Sequence, residues 1–479
     1  MQNKIFAKCF RFNISLKKFA ALFALLNCTL LCFADTSTTS VISNKFNIKK
    51  EHPLSTILLR NAYETAKTSE AKSKAAYALG VSYLESQLYP QAEPLLKEVF
   101  DLTASDDLKA LCAIHLGDLS STQKNVTSAI TWYKSAISYA PQNNSVQLDA
   151  GIRLAGISQY PLKFKELERL TSYLPFAEDK ATRAKYALII ATLARRFEKN
   201  NTQATRLTYE NLLVTKNLGE EMADHRIQAE SFDGLSGLYE EQLRHREALQ
   251  LANDGVSHAQ AIQARDLLIS LEWRRGRLFR AIHDDQEALN AYQRAVDHVE
   301  AIRQDIPVEY QDGKSSFRET LEPLYLGLAD LLLSRKNNNN DEQRDLYTRA
   351  RQTLELMKQS ELEDFLGDRC AVEARKNTAI STLPDHTALL YPIILPDRLE
   401  LLRETREGFK RVTINVTSKE LQATIDAFSL ELRNAFSDYK PDATRLYNWL
   451  LKPLEEYFKN QNIIVTYFHS FFLIVFYYF

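Results

Sequence analysis

The stretch WRRGRLFRAIHDDQEALNAYQRAVDHVEAIR, Trp273–Arg303, decides the fold of this chain. Apolar residues recur at helical spacing on both sides of His283-Asp284-Asp285, so the stretch predicts two short helices joined by a tight turn. The predicted inward faces carry Leu278, Phe279 and Ile282 on the first helix and Ala288, Tyr292, Ala295 and Val299 on the second. Gly276 and Ala288 are small enough for the two helices to approach closely. Such a pair leaves an apolar face on each side, which predicts further pairs before and after it.

Similar pairs occur earlier in the chain. Lys74–Asp106 and Lys109–Pro141 show the same order of small and aromatic residues, and Gly80 and Gly117 stand 37 residues apart. A weaker copy lies at Leu235–Ala248, whereas 148–213 keeps helical periodicity but departs from the pattern. The repeat-defining positions, all predicted to form the core, are Leu79, Gly80, Tyr83, Ala92, Leu116, Gly117, Ala129, Tyr133, Ala136, Pro141, Leu235, Tyr239, Ala248, Trp273, Gly276, Ala288, Tyr292 and Ala295.

These positions resemble the tetratricopeptide repeat, whose period is about 34 residues. The resemblance implies a mainly α superhelix over residues 53–375, with a concave groove that takes an extended peptide or a helix of a partner protein. Five side chains are candidates for lining that groove: Arg274, Arg277, Arg280, Tyr239 and Lys74. A solvated outer face is the simpler expectation for each of them.

Composition supports helices and excludes one class of partner. The 479 residues include 13 Gly and 13 Pro, while the residues that favour helices abound. The formal net charge is −1, so nothing favours a nucleic-acid binder that works through broad phosphate contact. No motif for a metal or a cofactor is found, and we expect neither.

The N-terminus is typical of a secretory signal peptide. Five lysines and arginines precede the apolar run Phe19–Phe33, and no acidic residue occurs before Asp35. Residues 1–34 are therefore predicted to be removed on export to the periplasm or the cell exterior, and 35–52 to be a linker. An uncleaved anchor helix is the alternative. Of the five cysteines, only Cys112 and Cys370 lie beyond the leader, and both are expected to be small buried hydrophobes.

One further helix pair is predicted after the opening stretch. It consists of Ser315–Arg335 and Asp341–Lys358, separated by the loop Lys336–Asn340, and a short helix is expected over Leu362–Arg375.

Near His386 the pattern changes from helical to alternating. Three strands are predicted, followed by two helices. The predicted bounds are Ala388–Leu395, Arg398–Arg403 and Phe409–Val416 for the strands, and Ser418–Ala435, with Ser418 as N-cap, and Asp442–Lys459 for the helices.

Four phrases from Trp273 to Lys459 occur in a distinctive order. They are AIRQDIPVEYQDGKSSFRETLEPLYLGLADLLL, ELEDFLGDRC, ALLYPIILPDRLELL and LYNWLLKPLE. In this order they resemble the tetratricopeptide-linked CHAT proteins. The resemblance implies that 386–462 is the N-terminal part of a caspase-like cysteine-peptidase fold. In that family a core strand and a long α/β segment with the catalytic His and Cys follow the last helix, and this segment is absent here. Neither His386 nor His469 fits the catalytic position, so no catalytic residue is predicted.

The apolar tail 463–479 has three interpretations: sequence from a frameshift or a gene break, a membrane anchor, or a buried terminal strand. The sequence as a whole predicts an exported, non-catalytic scaffold for protein–protein interaction with an incomplete CHAT domain. Two alternatives stay open: the front fragment of a caspase-like peptidase completed by a separate or frameshifted segment, and a membrane-tethered adaptor.

Overall fold

A computed structural model describes residues 54–157, 160–303, 310–311, 314–315, 321–366, 385–433, 438–460, 463 and 465–468. The predicted leader 1–34, the linker 35–52, Cys370 and His469 lie outside these residues. The contacts divide the chain into two units, Met1–Leu119 and Ser120–Phe479. Each unit is described by itself below.

The first unit is built from helices. They are α1 (Leu54–Thr65), α2 (Ser69–Glu85), α3 (Tyr89–Leu102) and α4 (Asp106–Thr122), whose last turn belongs to the second unit. Helix α2 begins where the Thr68 side chain accepts a hydrogen bond from the Ala71 backbone N–H. Gly80 faces α3, where an added Cβ would stand 3.0 Å from the Leu96 side chain. The close α2–α3 contact that the small residue predicts is therefore present.

Helices continue in pairs through the second unit. Their bounds are α5 (Val126–Tyr139), α6 (Asn144–Gly156), α7 (Phe164–Tyr173), α8 (Lys180–Ala194), α9 (Thr202–Glu221), α10 (His225–Glu241), α11 (His245–Ala261), α12 (Arg265–Ala281), α13 (Asp285–Ile302), α14 (Glu322–Ser334) and α15 (Asn340–Leu366). Short 3₁₀ helices follow α7 (Leu174–Phe176) and α8 (Arg195–Asn200). The predicted pair over Trp273–Arg303 corresponds to the end of α12 and the whole of α13.

The helix pairs turn in one recurrent way. A non-glycine residue with φ between 51° and 64° stands in six of the turns, namely Gln87, Lys124, Ala223, Leu243, Gln263 and His283. The backbone N–H after each of them bonds a carbonyl five residues earlier, as Asp284 does with Phe279 at 2.9 Å, which is the Schellman end of a helix. The last four of the six stand 20 residues apart. A pair with its turns therefore takes about 40 residues there, more than the period of about 34 residues that defines the tetratricopeptide repeat.

The ring of Tyr292 on α13 fills a gap between two glycines. A Cβ added to Gly276 on α12 would lie 2.4 Å from Cδ2 of the ring, and one added to Gly327 on α14 would lie 2.5 Å from Cε1. Tyr292 is 4% exposed, so the ring is packed on both sides by backbone. The aromatic residue of the repeat therefore packs directly against the small residues of the neighbouring helices.

The start of the last helix pair differs from the prediction. Helix α14 begins at Glu322 and not at Ser315, because Lys314–Ser315 forms a short strand, β2, antiparallel to β1 (Tyr310–Gln311). A proline lies in the first turn of α14, where its fixed φ suits a helix start. Helix α15 is continuous to Leu366. It therefore combines the helix predicted over Asp341–Lys358 with the beginning of the one predicted over Leu362–Arg375.

A four-stranded sheet follows the helices. Its strands are β3 (Thr387–Ile394), β4 (Leu399–Thr405), β5 (Gly408–Ile414) and β6 (Val465–Phe468), in the order β5-β4-β3-β6. The first three form antiparallel hairpins, whereas β6 is parallel to β3. The three predicted strands are confirmed. Within the apolar tail, Val465–Phe468 forms the strand β6, whereas the burial that the third interpretation predicts lies outside what the structure describes. Residues 469–479 lie outside the described part of the chain.

The two faces of the sheet are covered by different helices, because successive strand residues point in opposite directions. Tyr391 and Leu402 join the apolar cluster of α13, α14 and α15. Leu390, Leu399 and Leu401 pack instead against helices from the C-terminal side of the sheet. These helices are α16 (Ser418–Arg433), α17 (Lys440–Leu450) and α18 (Glu455–Asn460). The sheet therefore shares one core with the last helices of the repeat region.

Two details of the C-terminal helices correct the prediction. The N-cap of α16 is Thr417 and not Ser418, because Thr417 Oγ1 accepts a hydrogen bond from the Glu420 backbone N–H at 3.2 Å. The helix predicted over Asp442–Lys459 is broken by a 3₁₀ turn, Lys452–Leu454, which contains Pro453. Proline cannot donate the backbone hydrogen bond that a continuous helix needs. The fold class itself is as predicted: mainly α, with tetratricopeptide-like helix pairs followed by a small α/β region.

We predict that Gly276→Ala lowers the stability of the second unit. The new methyl group would enter the Tyr292 ring, and overpacking of this kind costs about 1–3 kcal/mol. The measurement is the midpoint of urea unfolding. Gly156→Ala is the matched control, since a Cβ there meets no heavy atom within 4 Å. Equal midpoints for the two variants would contradict the tight contact.

Candidate functional site

The first helices of successive pairs contact one another in the second unit. Direct contacts join α6 to α8, α8 to α10 and α10 to α12. These contacts place the first helices on one face of the stack, which is called the inner face below. Helical-repeat proteins bind their partners on extended concave surfaces.

Ion pairs cross the inner face between α10 and α12. Arg274 Nε lies 2.9 Å from Asp233 Oδ1, and Arg274 Nη1 lies 2.8 Å from Glu240 Oε2. Arg277 binds the same Glu240 carboxylate through Nε at 2.8 Å and Nη2 at 2.9 Å. One acid thus accepts hydrogen bonds from two guanidinium groups, and the two helices are joined by charge as well as by packing.

The Glu240 carboxyl is held in its charged form. Burial by itself would raise its pKa, but the hydrogen bonds and charges of Arg277 and Arg274 outweigh burial and lower the pKa. The same balance applies to Arg274: burial would lower its pKa, and Asp233 and Glu240 raise it. Glu240 and Arg274 therefore both stay ionised at neutral pH.

A glycine makes room for this cluster. A Cβ added to Gly237 on α10 would stand 2.7 Å from Arg274 Nη1. The missing side chain lets the guanidinium lie against the backbone of the neighbouring helix and reach both acids. The sequence contains this glycine, but its role depends on a residue 37 positions later, which the repeat pattern does not reveal.

Polar contacts continue toward α6 and α8. Tyr186 on α8 donates a hydrogen bond to Asp149 of α6, and Arg153 of α6 donates to the Tyr186 hydroxyl at 3.3 Å. Burial, followed by the hydrogen bond and charge of Asp149, raises the pKa of Tyr186 to about 12. The hydroxyl therefore remains protonated and keeps donating at neutral pH.

Polar contacts also extend from α12 in the other direction, through α14 to the sheet. Asp330 on α14 accepts a hydrogen bond from Arg280 of α12 and another from Arg398, in the turn between β3 and β4. Arg398 Nε in turn donates to Glu400 of β4 at 2.7 Å. Burial alone would lower the pKa of Arg398, whereas its bonds to Glu400 and Asp330 raise it. The contacts from α6 to β4 are called the polar seam below.

The seam corrects the expectation of a solvated outer face. Arg274, Arg277 and Arg280 lie on the inner face and pair with acids of neighbouring helices. Tyr239 is half-buried, with the Arg244 guanidinium 4.1 Å from its ring centroid. Lys74, in the first unit, is exposed and pairs with Glu70 one turn earlier. Periodicity could not find the seam, because the partners lie on different helices far apart in sequence.

Most repeat-defining residues are buried, and three are not. Tyr239 and Trp273 are half-buried, and the Arg277 guanidinium lies 5.0 Å from the Trp273 ring centroid. Pro141 is exposed, two residues after the end of α5, where it cannot continue the helix. The buried ones are Leu79, Gly80, Tyr83, Ala92, Leu116, Gly117, Ala129, Tyr133, Ala136, Leu235, Ala248, Gly276, Ala288, Tyr292 and Ala295.

Features of three other kinds of site are absent from the residues that the structure describes. Burial raises the pKa of the Cys112 thiol to about 12, so this thiol is not an activated nucleophile. Among the residues that the structure describes, no three His, Cys, Asp or Glu side chains converge as metal ligands would. No helix within those same residues has the length and apolar character to cross a membrane.

No protein-family model matches the chain, and no curated protein matches it. Solved structures with loosely similar helix stacks include a signal transduction ATPase with a tetratricopeptide-repeat sensor from Pyrococcus horikoshii, at 13% identity and a TM-score of 0.46. That match covers 64% of this chain and 45% of the other, so this chain spans less than half of that protein.

Two further matches are weaker. A Rap protein complexed with competence and sporulation factor has 12% identity and a TM-score of 0.36, over 61% of this chain and 80% of that one. The human IFIT1 dimer with PPP-AAAA has 12% identity and a TM-score of 0.25, over 62% of this chain and 71% of that one. With scores this low, the fold assignment rests on the helix pairs and the sheet described above.

We predict that Glu240→Gln destabilises the protein at pH 7 by about 1–3 kcal/mol, because two partly buried guanidinium groups lose their shared anion. The lowered pKa of Glu240 stabilises the fold above the unfolded pKa of about 4.3, and this stabilisation is lost as the pH falls through the folded value. The difference in melting temperature between the variant and the native chain should therefore be largest near neutrality and shrink below about pH 4.

Glu70→Gln serves as the control, because Glu70 pairs with Lys74 on the exposed surface of α2. Its melting temperature should match that of the native chain. A gap for Glu240→Gln that stays constant between pH 7 and pH 3 would contradict the assigned charge state.

Proposed function

We propose that this chain is a non-catalytic interaction scaffold whose inner face binds an extended segment of a partner protein. The polar seam is the observation that carries the proposal. It runs across the first helices of successive pairs, and its arginines are only partly covered: the Arg277 side chain is 35% exposed and that of Arg280 is 45% exposed. These groups can offer hydrogen bonds to the backbone carbonyls and polar side chains of a peptide laid across the helices.

The charge of the seam favours a protein partner over a nucleic acid. Each arginine of the central cluster already faces an acid, namely Asp233, Glu240 or Asp330. A surface that neutralises its own cations has little to offer a row of phosphates, whose binding depends on unpaired Lys and Arg. A peptide with mixed polar groups matches the alternating charges better.

Location is a second part of the proposal. The basic leader and the apolar run over residues 1–34 support export, so we propose that the scaffold acts in the periplasm or outside the cell. The alternative location is the membrane surface, where residues 463–479 would tether the same scaffold.

Peptides selected from a random display library for binding to the whole chain provide the test. We expect selected peptides to slow amide hydrogen exchange in α10, α12 and α14. Arg280→Ala should weaken their binding at least about tenfold, since one charge-assisted hydrogen bond contributes roughly 1.5–3 kcal/mol. Arg206→Ala is the matched control, because Arg206 is exposed on α9, a second helix of its pair. Protection confined to second helices, or equal losses in both variants, would overturn the proposal.

A second candidate function is the front part of a caspase-like peptidase, as the CHAT resemblance implies. The strand β6 favours it, because it follows α17 and α18 and adds to the sheet parallel to β3. A core strand is what the family has after the phrase LLKPLE. The whole chain should then cleave fluorogenic peptides only when a segment with the catalytic His and Cys is added. Cleavage by this chain alone that a thiol-blocking reagent stops and Cys370→Ala abolishes would instead make this chain an enzyme by itself.

A further inference from the structure

A cavity of about 220 Å³ is lined by residues of α5, α6 and α7. Its wall is apolar where Leu154 and Ala155 of α6 and Leu170 of α7 line it, and all three are buried. Gly151 of α6 lets the Leu170 side chain come close, since a Cβ added to this glycine would stand 2.5 Å from Leu170 Cδ2. An apolar group of a ligand placed against this wall would be removed from water.

The connection between α6 and α7 supplies another part of the wall. It takes seven residues, 157–163, whereas three residues, 242–244, join α10 to α11. Tyr160 and Leu162 of this longer connection line the cavity. The cavity is therefore built by a helix pair within 148–213, the segment whose sequence departs from the repeat pattern.

Two cations line the cavity without an acid to neutralise them. Lys134 of α5 and Arg169 of α7 are exposed, and neither forms an ion pair within the part of the chain that the structure describes. Lys134 Nζ lies 5.6 Å from the centroid of the Tyr160 ring, a cation–π contact that holds the ammonium beside the cavity. Because both cations reach solvent, a ligand can meet them as it enters.

The acid that lines the cavity is engaged elsewhere. Glu166 Oε1 accepts a hydrogen bond from the Tyr160 hydroxyl at 3.2 Å, and its Oε2 accepts one from the Lys163 backbone N–H at 3.2 Å. Both oxygens therefore hold the connection against the start of α7. With two cations and one anion in the lining, the cavity favours a ligand of negative charge.

The cavity and the polar seam lie on opposite sides of α6. Successive residues of a helix are rotated by about 100°. Gly151 and Ala155 therefore point away from the side that carries Asp149 and Arg153, the residues of the seam. A ligand in the cavity would leave the inner face free for a peptide.

We propose that this cavity binds a small organic acid with one carboxylate and an apolar body of about one aromatic ring. The carboxylate accepts hydrogen bonds from Arg169 and Lys134, while the apolar body covers Leu154 and Leu170. A cavity of about 150 Å³ lined by apolar side chains holds benzene, so this one has space for a ring with a short chain. Pockets for drug-sized ligands and cofactors are larger, about 300–1,000 Å³, which excludes a nucleotide.

Ligand-detected NMR titrations of the whole chain with 3-phenylpropionate, at constant ionic strength, test the proposal. We expect saturable binding, together with slower amide hydrogen exchange in α5, α6 and α7. Two analogues separate the parts of the ligand: 3-phenylpropanamide lacks the charge, and propionate lacks the ring. Each should bind at least about tenfold more weakly, because each loses one of the two kinds of contact.

Arg169→Met should weaken the binding of 3-phenylpropionate about five- to tenfold and leave that of the amide unchanged, because only the acid uses the guanidinium. Lys165→Met is the matched control. Lys165 is exposed on the same helix and does not line the cavity, so its replacement removes an equal charge and should leave the affinity as it is. Ala155→Leu places three more carbon atoms in the cavity and should abolish binding, with its melting temperature reporting that the variant is folded.

The proposal fails on any of three results. The first is the absence of saturable binding, or equal affinities for the acid and the amide. The second is an equal loss of affinity in Arg169→Met and Lys165→Met, which would mean that the acid responds to net charge alone. The third is a folded Ala155→Leu variant that binds as the native chain does, which would place the ligand outside the cavity.

Discussion

The close approach of neighbouring helices is the constraint on which the rest of the second unit depends. The ring of Tyr292 between Gly276 and Gly327 shows it most directly, because it leaves no space for even one methyl group on either side. Short distances between first helices in turn bring side chains of different pairs within hydrogen-bond reach. A glycine also makes room for a charged group: because Gly237 has no side chain, Arg274 lies against the neighbouring backbone and binds two acids. Packing thus comes first, and the polar seam is its consequence.

Two kinds of buried arginine follow from this arrangement. Arg274 and Arg398 are desolvated, yet each has carboxylates placed to compensate, so their charges stabilise a defined geometry. Arg403 is more deeply buried, at 3% exposed, and stacks on Tyr457 with no ion pair among the residues that the structure describes. The first kind joins elements of the fold through ion pairs, whereas the second contacts α18 through the face of an aromatic ring.

The sequence predicted what depends on local spacing. Small and aromatic residues at helical spacing predicted the helix pairs, and the alternation of apolar and polar residues predicted β3, β4 and β5. What it missed depends on neighbours distant in sequence. Arg280 and Arg398 meet at Asp330, and no pattern within either segment indicates the shared acid. The cap of α16 was misplaced by one residue because Thr417 and Ser418 are both good caps, and only the backbone decides between them.

The common core of the sheet and helices α13–α15 has a consequence for cooperativity. Tyr391 and Leu402 of the sheet belong to the same apolar cluster as Leu324 and Leu354 of the last helix pair. The sequence pattern divides this region near His386, but the residues on either side of that point do not form a complete apolar core by themselves. The last pair and the sheet are therefore expected to melt in one transition. A chain cut just before Thr387 would expose one face of α14 and α15 to water, and a sheet expressed alone would lose half of its cover.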